Sequence, residues 1–304
     1  MELYKKYRPI KFDEMIGNES TLASSKNMIA KDSLPHTILF SGPSGCGKTT
    51  LARILASELG CTDNSDISEL NMSHKELRGI EGANQIVSNI GYKSLTGNKR
   101  VMILDEVDQM TSDAQKLMKK VLEDTPSHVW FFLCTTKPEK LIRDIITRST
   151  QVQVELINSR TLASYMRTLA EREGKQLGAS VSRRIAEASE GSVRKAVVFL
   201  QQVLEVEEEQ QEDLVNRITM EENAEVIELC RALMKKANWS TIGDMLKNLK
   251  EEPESVRYAV LGYFNTVLLN NGDARSAEII MRFSEPFYDS GKAGLTLACF
   301  ECTI

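Results

Sequence analysis

Apolar and polar positions alternate in blocks along the first half of the chain. Thr37–Phe40 is a short apolar run, Arg100–Leu104 is another that ends in Asp105, and Val129–Cys134 is a third. Such runs fit strands buried on both faces of a parallel sheet. Asp66–Asn71 predicts a further short strand, and Thr150–Leu156 one that closes the sheet. Between them lie segments with helical spacing: Ser20–Lys31, with Leu22, Met28 and Ile29 on one side, then Leu51–Ala56 and Asn84–Ile90. Ser112–Asp124 places Leu117, Val121 and Leu122 inward and Lys116, Lys119 and Lys120 outward. Strands alternating with helices predict a doubly wound parallel α/β domain over residues 1–157.

Beyond residue 157 the period becomes helical throughout. Asn158 has the residue type of a helix cap, Gly174 and Gly178 interrupt the run, and a further helix opens at Gly191-Ser192-Val193-Arg194. The acidic stretch Glu205–Asp213 has the composition of a linker or an exposed helix face. Apolar spacing recurs in Val226–Met234, Ile242–Leu249 and Val256–Leu269. The expected organisation is therefore a helical domain at 158–219 and a separate all-α domain at 220–304. No internal repeat or low-complexity tract interrupts it.

Length and charge narrow the class. A chain of 304 residues is long enough for two or three cores. A formal net charge of −5 argues against coating nucleic acid through bulk positive field and leaves only local basic strips, such as Lys75, Arg78, Lys116 and Lys119. A lysine face of this kind is commonly just solvated. No run is apolar enough to span a membrane and the amino-terminal residues have no secretory pattern, so a cytoplasmic protein is expected. The six cysteines are scattered, as buried thiols are. Cys299 and Cys302 form a C-x-x-C, but no second pair accompanies them to complete a zinc site.

The chemistry concentrates in Ser41-Gly42-Pro43-Ser44-Gly45-Cys46-Gly47-Lys48-Thr49-Thr50, which follows the first strand and opens a helix. Glycines let successive backbone N–H groups converge on one anion, and the helix N-terminus behind them adds partial positive charge. In this arrangement Lys48 reaches the β- and γ-phosphates of a nucleoside triphosphate and the Thr49 hydroxyl holds magnesium. Asp105 and Glu106 stand at the carboxyl end of a strand, where open α/β sheets bind ligands. Asp105 suits the magnesium shell, and Glu106 can polarise a water for attack on the γ-phosphate. Thr135 and Thr136 end the next strand beside the same place.

Several segments resemble the sliding-clamp loader ATPases of the AAA+ class, which include replication factor C small subunits and the bacterial loader ATPase. Tyr7-Arg8-Pro9 with Phe12-Asp13-Glu14-Met15-Ile16-Gly17 is similar to the family's opening segment, which implies adenine contacts. Glu69-Leu70-Asn71-Met72-Ser73 and Arg78-Gly79-Ile80 resemble the replication factor C branch, whereas Leu122-Glu123-Asp124-Thr125-Pro126 and His128-Val129 resemble the bacterial one. The likeness spans residues 3–204 and weakens beyond; mixed branch features and a short tail fit a phage origin.

The resemblance implies a helical lid at 158–219, an oligomerising collar at 220–304, and a nucleotide pocket lined by Tyr7, Arg8, Pro9, Ile16, Gly17 and the loop Gly42–Thr50. It also implies that Thr136 is the first γ-phosphate sensor and Arg194 the second. Arg148, in Thr147-Arg148-Ser149, matches the arginine that completes the neighbouring subunit's ATP site, although its flanks depart from the family motif. An arginine at a domain edge cannot reach its own loop's phosphate but can reach the next subunit's in a ring or spiral. Its ordinary alternative is a surface ion pair. The implied activity is ATP hydrolysis with Mg2+, stimulated by DNA and clamp, that opens a ring-shaped clamp and loads it onto primer-template DNA. The implied partners are other loader subunits, in a spiral expected to be pentameric with a companion subunit. Another AAA+ DNA motor, such as a helicase loader or branch-migration motor, shares every phosphate residue; a subunit that binds ATP without turnover is the third reading.

Overall fold

The computed structural model describes residues 2–61, 63, 66–90, 99–222, 224–249, 251, 253–287 and 290–303, with backbone alone at 219–222. The expected domain limits at residues 1 and 304 lie outside these. The chain separates into two compact units, residues 1–211 and 212–304.

The first unit is organised by five parallel strands: β1 (Thr37–Ser41), β2 (Ile67–Asn71), β3 (Arg100–Asp105), β4 (Val129–Thr135) and β5 (Thr150–Gln153). Their order is β2-β3-β4-β1-β5. Leu39 is in register with Leu133 of β4 and Gln151 of β5, and Leu104 with Leu133. The interior strands are those with uninterrupted apolar runs; the mixed sequences of β2 and β5 occupy the edges, where one flank meets solvent.

Alternation then divides each interior strand between two cores. Ile38, Phe40, Val101, Ile103, Phe132 and Cys134 face one cluster, with Leu51, Ile54 and Leu55 of α3 (Lys48–Glu58) and Leu22 of α2 (Glu19–Ala30). Leu39, Met102, Leu104, Phe131 and Leu133 face the other. That cluster contains Ala83 and Ile86 of α4 (Ile80–Ile90), Met118, Val121 and Leu122 of α5 (Ser112–Glu123), and Ile145 of α6 (Arg143–Thr147). Leu117 is only partly buried against it. A short helix, α1 (Leu3–Lys6), begins the unit, and three longer ones end it: α7 (Ser159–Arg172), α8 (Ala179–Ala188) and α9 (Val193–Leu204). Asn158 caps α7 by accepting from Thr161 N–H at 2.9 Å, and Ser192 caps α9 through Lys195 N–H at 3.3 Å. Caps of this type each contribute about 1 kcal/mol.

Several boundaries differ from the sequence-based expectation; α4, for one, begins at Ile80 rather than Asn84. The helix after the glycine loop begins at Lys48 rather than Leu51, because the polar residues of its first turn serve the loop and hide the apolar period. The closing strand stops at Gln153, three residues early; Val154 N–H still donates to Ser41 O at 2.8 Å, but its carbonyl abuts Gly42 and the chain then leaves for α7. The acidic stretch takes the helical one of its two expected forms from Glu208, the start of α10 (Glu208–Glu222), and the division between the units falls within that helix.

Among its described residues the second unit has helices alone: α11 (Ala224–Met234), α12 (Trp239–Asn248), α13 (Pro253–Asn271), α14 (Ala274–Arg282) and α15 (Gly291–Glu301). They enclose a core of Leu229, Leu233, Ile242, Val260, Phe264, Ile279, Phe283 and Cys299. Among the described residues no helix is long and apolar enough to cross a membrane.

Candidate nucleotide-binding site

The glycine loop turns at the carboxyl end of β1, with β4 on one side and β5 on the other. Gly42, Gly45 and Gly47 have φ of 150°, 76° and 110°, a region that L side chains rarely enter. Space forbids side chains as firmly as strain does. A methyl on Gly42 would sit 2.0 Å from the Val154 carbonyl oxygen, and one on Gly45 would sit 2.1 Å from Ser192 Oγ. The loop is thus a closely confined cradle of backbone N–H groups that ends at the N-terminus of α3.

Lys48, only 7% exposed, lies under this loop. Its ammonium donates to Gly42 O at 2.8 Å and Pro43 O at 2.7 Å, and no carboxylate lies within 4.0 Å among the described residues. A buried cation with only neutral acceptors favours an anion. One residue on, the Thr49 hydroxyl donates to Asp105 Oδ2 at 2.9 Å, so the hydroxyl and carboxylate that would share a magnesium ion are already adjacent. Asp105 Oδ1 accepts the Glu106 N–H at 3.0 Å, and Glu106, exposed, takes a left-handed conformation at φ 55°. These donors fit magnesium: hard oxygen ligands beside a phosphate cradle.

The cleft around the loop has a volume of about 1070 Å3, open mouth included. Ser44–Thr50, Asp105, Glu106, Thr136 and Arg194 line its polar end. Arg194 stands in the first turn of α9, where a cation opposes the helix dipole by about 0.3–1 kcal/mol, a placement that an anion in the cleft would offset. The other end is apolar and aromatic: Tyr4, Tyr7, Pro9, Met15, Ile16, Tyr165 and Val197, with Arg8 beside them. Tyr7 donates to Glu173, and Lys6 Nζ reaches the same carboxylate at 2.6 Å, fastening the opening segment to the end of α7. Burial raises the Tyr165 phenol above its ordinary value, so it stays neutral. A flat heteroaromatic base suits this wall. Burial likewise raises the Cys46 and Cys134 thiols, which are neighbours of the loop and not nucleophiles.

Gly17, Gly42, Pro43 and Arg148 do not line the cleft. Gly17 forms a turn at φ 63°, and the carbonyls of Gly42 and Pro43 hold Lys48. Arg148 caps α6 and bonds Asp144 Oδ1 at 3.1 Å and Glu123 Oε1 at 3.4 Å. Thr135, expected beside the phosphate, lines it, as do Glu14, Met15 and Val193 from the quoted motifs; Tyr4, Tyr165 and Val197 line it without having been anticipated. Tyr165 and Val197 occupy helical spacings ordinarily read as core. Of the basic strip, Lys116 pairs with Asp113 at 3.0 Å and Lys119 with Asp144 at 3.1 Å, while Lys75 and Arg78 are exposed. Cys299 and Cys302 are buried free thiols, and among the described residues no group of three ligand-type side chains could hold a metal.

Residues 38–158 match the family model "ATPase family associated with various cellular activities (AAA)". Replication factor C small subunit 2 of Pyrobaculum islandicum is 33% identical over 217 residues, covering 70% of this chain and 67% of that protein. DNA polymerase III subunit gamma/tau of Mycobacterium tuberculosis H37Rv is 30% identical over 226 residues, 67% of this chain; the match spans only 39% of the mycobacterial protein. Among solved structures, the Thermotoga maritima RuvB Holliday junction branch migration motor has a TM-score of 0.60 at 20% identity, over 75% of this chain and 79% of that one. This last likeness is one of fold alone. Sheet order, phosphate cradle and family model together define the AAA+ class. Within that class, the chain belongs to the clamp-loader ATPase family of replication factor C small subunits and gamma/tau subunits.

Proposed function

We propose that the protein hydrolyses ATP as one subunit of a loader that opens a ring-shaped clamp and places it on primer-template DNA. The observation that carries the reading is the buried, carboxylate-free ammonium of Lys48 beneath the glycine loop, beside the ready-made Thr49–Asp105 pair. Lys48 and the loop N–H groups bind the β- and γ-phosphates; Thr49 and Asp105 hold Mg2+. When bound, the metal neutralises charge developing on the phosphate oxygens. Glu106 orients and polarises the attacking water, and Thr136 and Arg194 contact the γ-phosphate. Tyr7, Pro9, Ile16, Tyr165 and Val197 hold the adenine.

Arg148 stands clear of its own cleft, and its role is to complete the ATP site of the adjoining subunit. Residues 158–219 then act as a lid over the nucleotide and 220–304 as an oligomerising collar, in a cytoplasmic assembly of five subunits. DNA contacts are to backbone phosphates, so binding is salt-sensitive and nearly blind to sequence. The test is ATPase activity of the assembled loader with and without clamp and primed DNA. Stimulation by both supports loading; a rate indifferent to either favours another AAA+ motor. Glu106→Gln should retain ATP and abolish turnover, and undiminished turnover would remove the assignment.

A further inference from the structure

The turn that follows Glu106 holds a carboxylate that the proposed chemistry does not use. Asp108 lies in the 3-10 turn Val107–Gln109 and is 8% exposed. Its Oδ1 accepts the Thr135 hydroxyl at 2.7 Å, and its Oδ2 accepts the Gln109 side-chain amide at 2.9 Å. Thr135, 1% exposed, in turn accepts the Lys137 N–H at 2.9 Å. No cation pairs with Asp108 among the described residues. A buried carboxylate satisfied only by neutral donors is a poor way to stabilise a core, which apolar residues of the same volume would do as well.

Its position gives it another use. The ladder between β3 and β4 ends at Leu104↔Leu133, before either strand reaches the residues assigned to chemistry. Past that point the chain on one side is Asp105-Glu106, with Glu106 in a left-handed conformation at φ 55° and ψ 43°; on the other it is Thr135-Thr136. The Asp108–Thr135 bond joins the two segments where the backbone ladder no longer does. It attaches two residues after the proposed base and one residue before the proposed γ-phosphate sensor.

We infer that Asp108 and Thr135 are positioning residues, a side-chain brace that sets the Glu106 carboxylate and the Thr136 hydroxyl at a fixed separation across the reacting phosphate. This rests on the ATPase reading above. Neither residue has an assigned contact with nucleotide or metal; the brace acts through the turn it holds. Its loss therefore lowers the rate of the chemical step and leaves nucleotide affinity, set by Lys48, Thr49 and Asp105, in place. A misplacement of about 1 Å in such a constellation can cost a hundredfold in rate.

The test compares steady-state ATPase and equilibrium binding of a fluorescent ATP analogue for the unaltered protein, Thr135→Val, Thr135→Ser, Asp108→Asn and the Thr135→Val/Asp108→Asn double variant. Thr135→Val and Asp108→Asn nearly conserve volume, and analogue binding reports that each variant is folded. Thr135→Val should lower kcat about tenfold to a hundredfold with analogue affinity and KM within about twofold. Thr135→Ser, which keeps the donor, should restore the rate. Asp108→Asn turns an amide toward the Gln109 amide and should lower kcat by an intermediate factor, and the double variant should be no slower than Thr135→Val. Full kcat in Thr135→Val and Asp108→Asn, whatever their melting temperatures, overturns the inference while the parent hydrolyses ATP and Glu106→Gln does not. Equal losses in kcat and analogue affinity, or additive losses in the double variant, overturn it too, since those mark a general disturbance of the site. A parent without ATPase activity instead removes the reading beneath it.

Discussion

The hydroxyl of Thr49 donates to Asp105 Oδ2 across 2.9 Å, tying the first turn of α3 to the end of β3. A hydrogen bond to a charged acceptor contributes about 1.5–3 kcal/mol. Thr49→Val should therefore lower the stability of the nucleotide-free protein by about 1–3 kcal/mol, measured by chemical denaturation in EDTA. It should also abolish the extra thermal stabilisation that Mg2+ adds to ATP. A variant in which magnesium still adds its full shift would exclude the pair from the metal site.

Lys48 presents the opposite balance. Its ammonium is buried with neutral acceptors, the Gly42 and Pro43 carbonyls and the Cys46 sulfur at 3.9 Å, so its removal relieves a desolvated charge. Lys48→Met should leave nucleotide-free stability unchanged or raise it, within about 1 kcal/mol. Saturating ATP stabilises the parent by about 2.7 kcal/mol at a hundred times Kd, and the variant should show almost none of this. Thermal melts with and without nucleotide separate the two effects, and an ATP shift of parental size in Lys48→Met would contradict the phosphate assignment.

Arg148, its side chain 26% exposed, is shared between the more exposed Asp144 and Glu123. Exposed ion pairs contribute about 0–1 kcal/mol, so Arg148→Ala should barely change melting. In the assembled loader the same variant should lose about three orders of magnitude or more in ATPase rate. The isolated chain should keep whatever slow rate it has. Equal loss in both forms would place Arg148 within its own site.

The second unit contains a pair whose pH dependence can be signed. At Glu254, burial opposes ionisation, but the Arg257 guanidinium at 2.5 Å and the Phe287 N–H at 2.7 Å outweigh it and hold the carboxyl below its ordinary value. A depressed folded-state value gives stability that is present above the unfolded carboxyl pKa and lost as pH falls through the folded one. Glu254→Gln should destabilise at neutral pH by about 2–4 kcal/mol, and the gap from the parent should close as pH falls below 4.5, the ordinary value. A gap that stays constant down to pH 3 would show that Glu254 acts through shape rather than charge.

Much of the first unit could be read from local pattern. β1, β3 and β4 are interior strands, and their uninterrupted apolar runs say so; β5 sits at an edge, where alternating Gln and Val carry a weaker signal, and it ends three residues before the expected Leu156. The phosphate loop was legible because its chemistry is contiguous: glycines, Lys48 and Thr49 act within ten residues of β1. The apolar, aromatic end of the cleft was half-hidden, since Tyr4, Tyr165 and Val197 come from three helices and each satisfies an ordinary helical spacing. Asp108 and Thr135 could not be paired from sequence at all. Their bond depends on the exact strand order and on where one ladder stops.

Glu106 bears two demands that pull apart. Its left-handed backbone is one that glycine or asparagine occupies with less strain, the difference amounting to about 1–3 kcal/mol, yet neither offers a carboxylate. Selection of this protein for heat tolerance alone would thus gather replacements at position 106, and under the role proposed for Glu106 the hardiest survivors would be those that no longer cleave nucleotide.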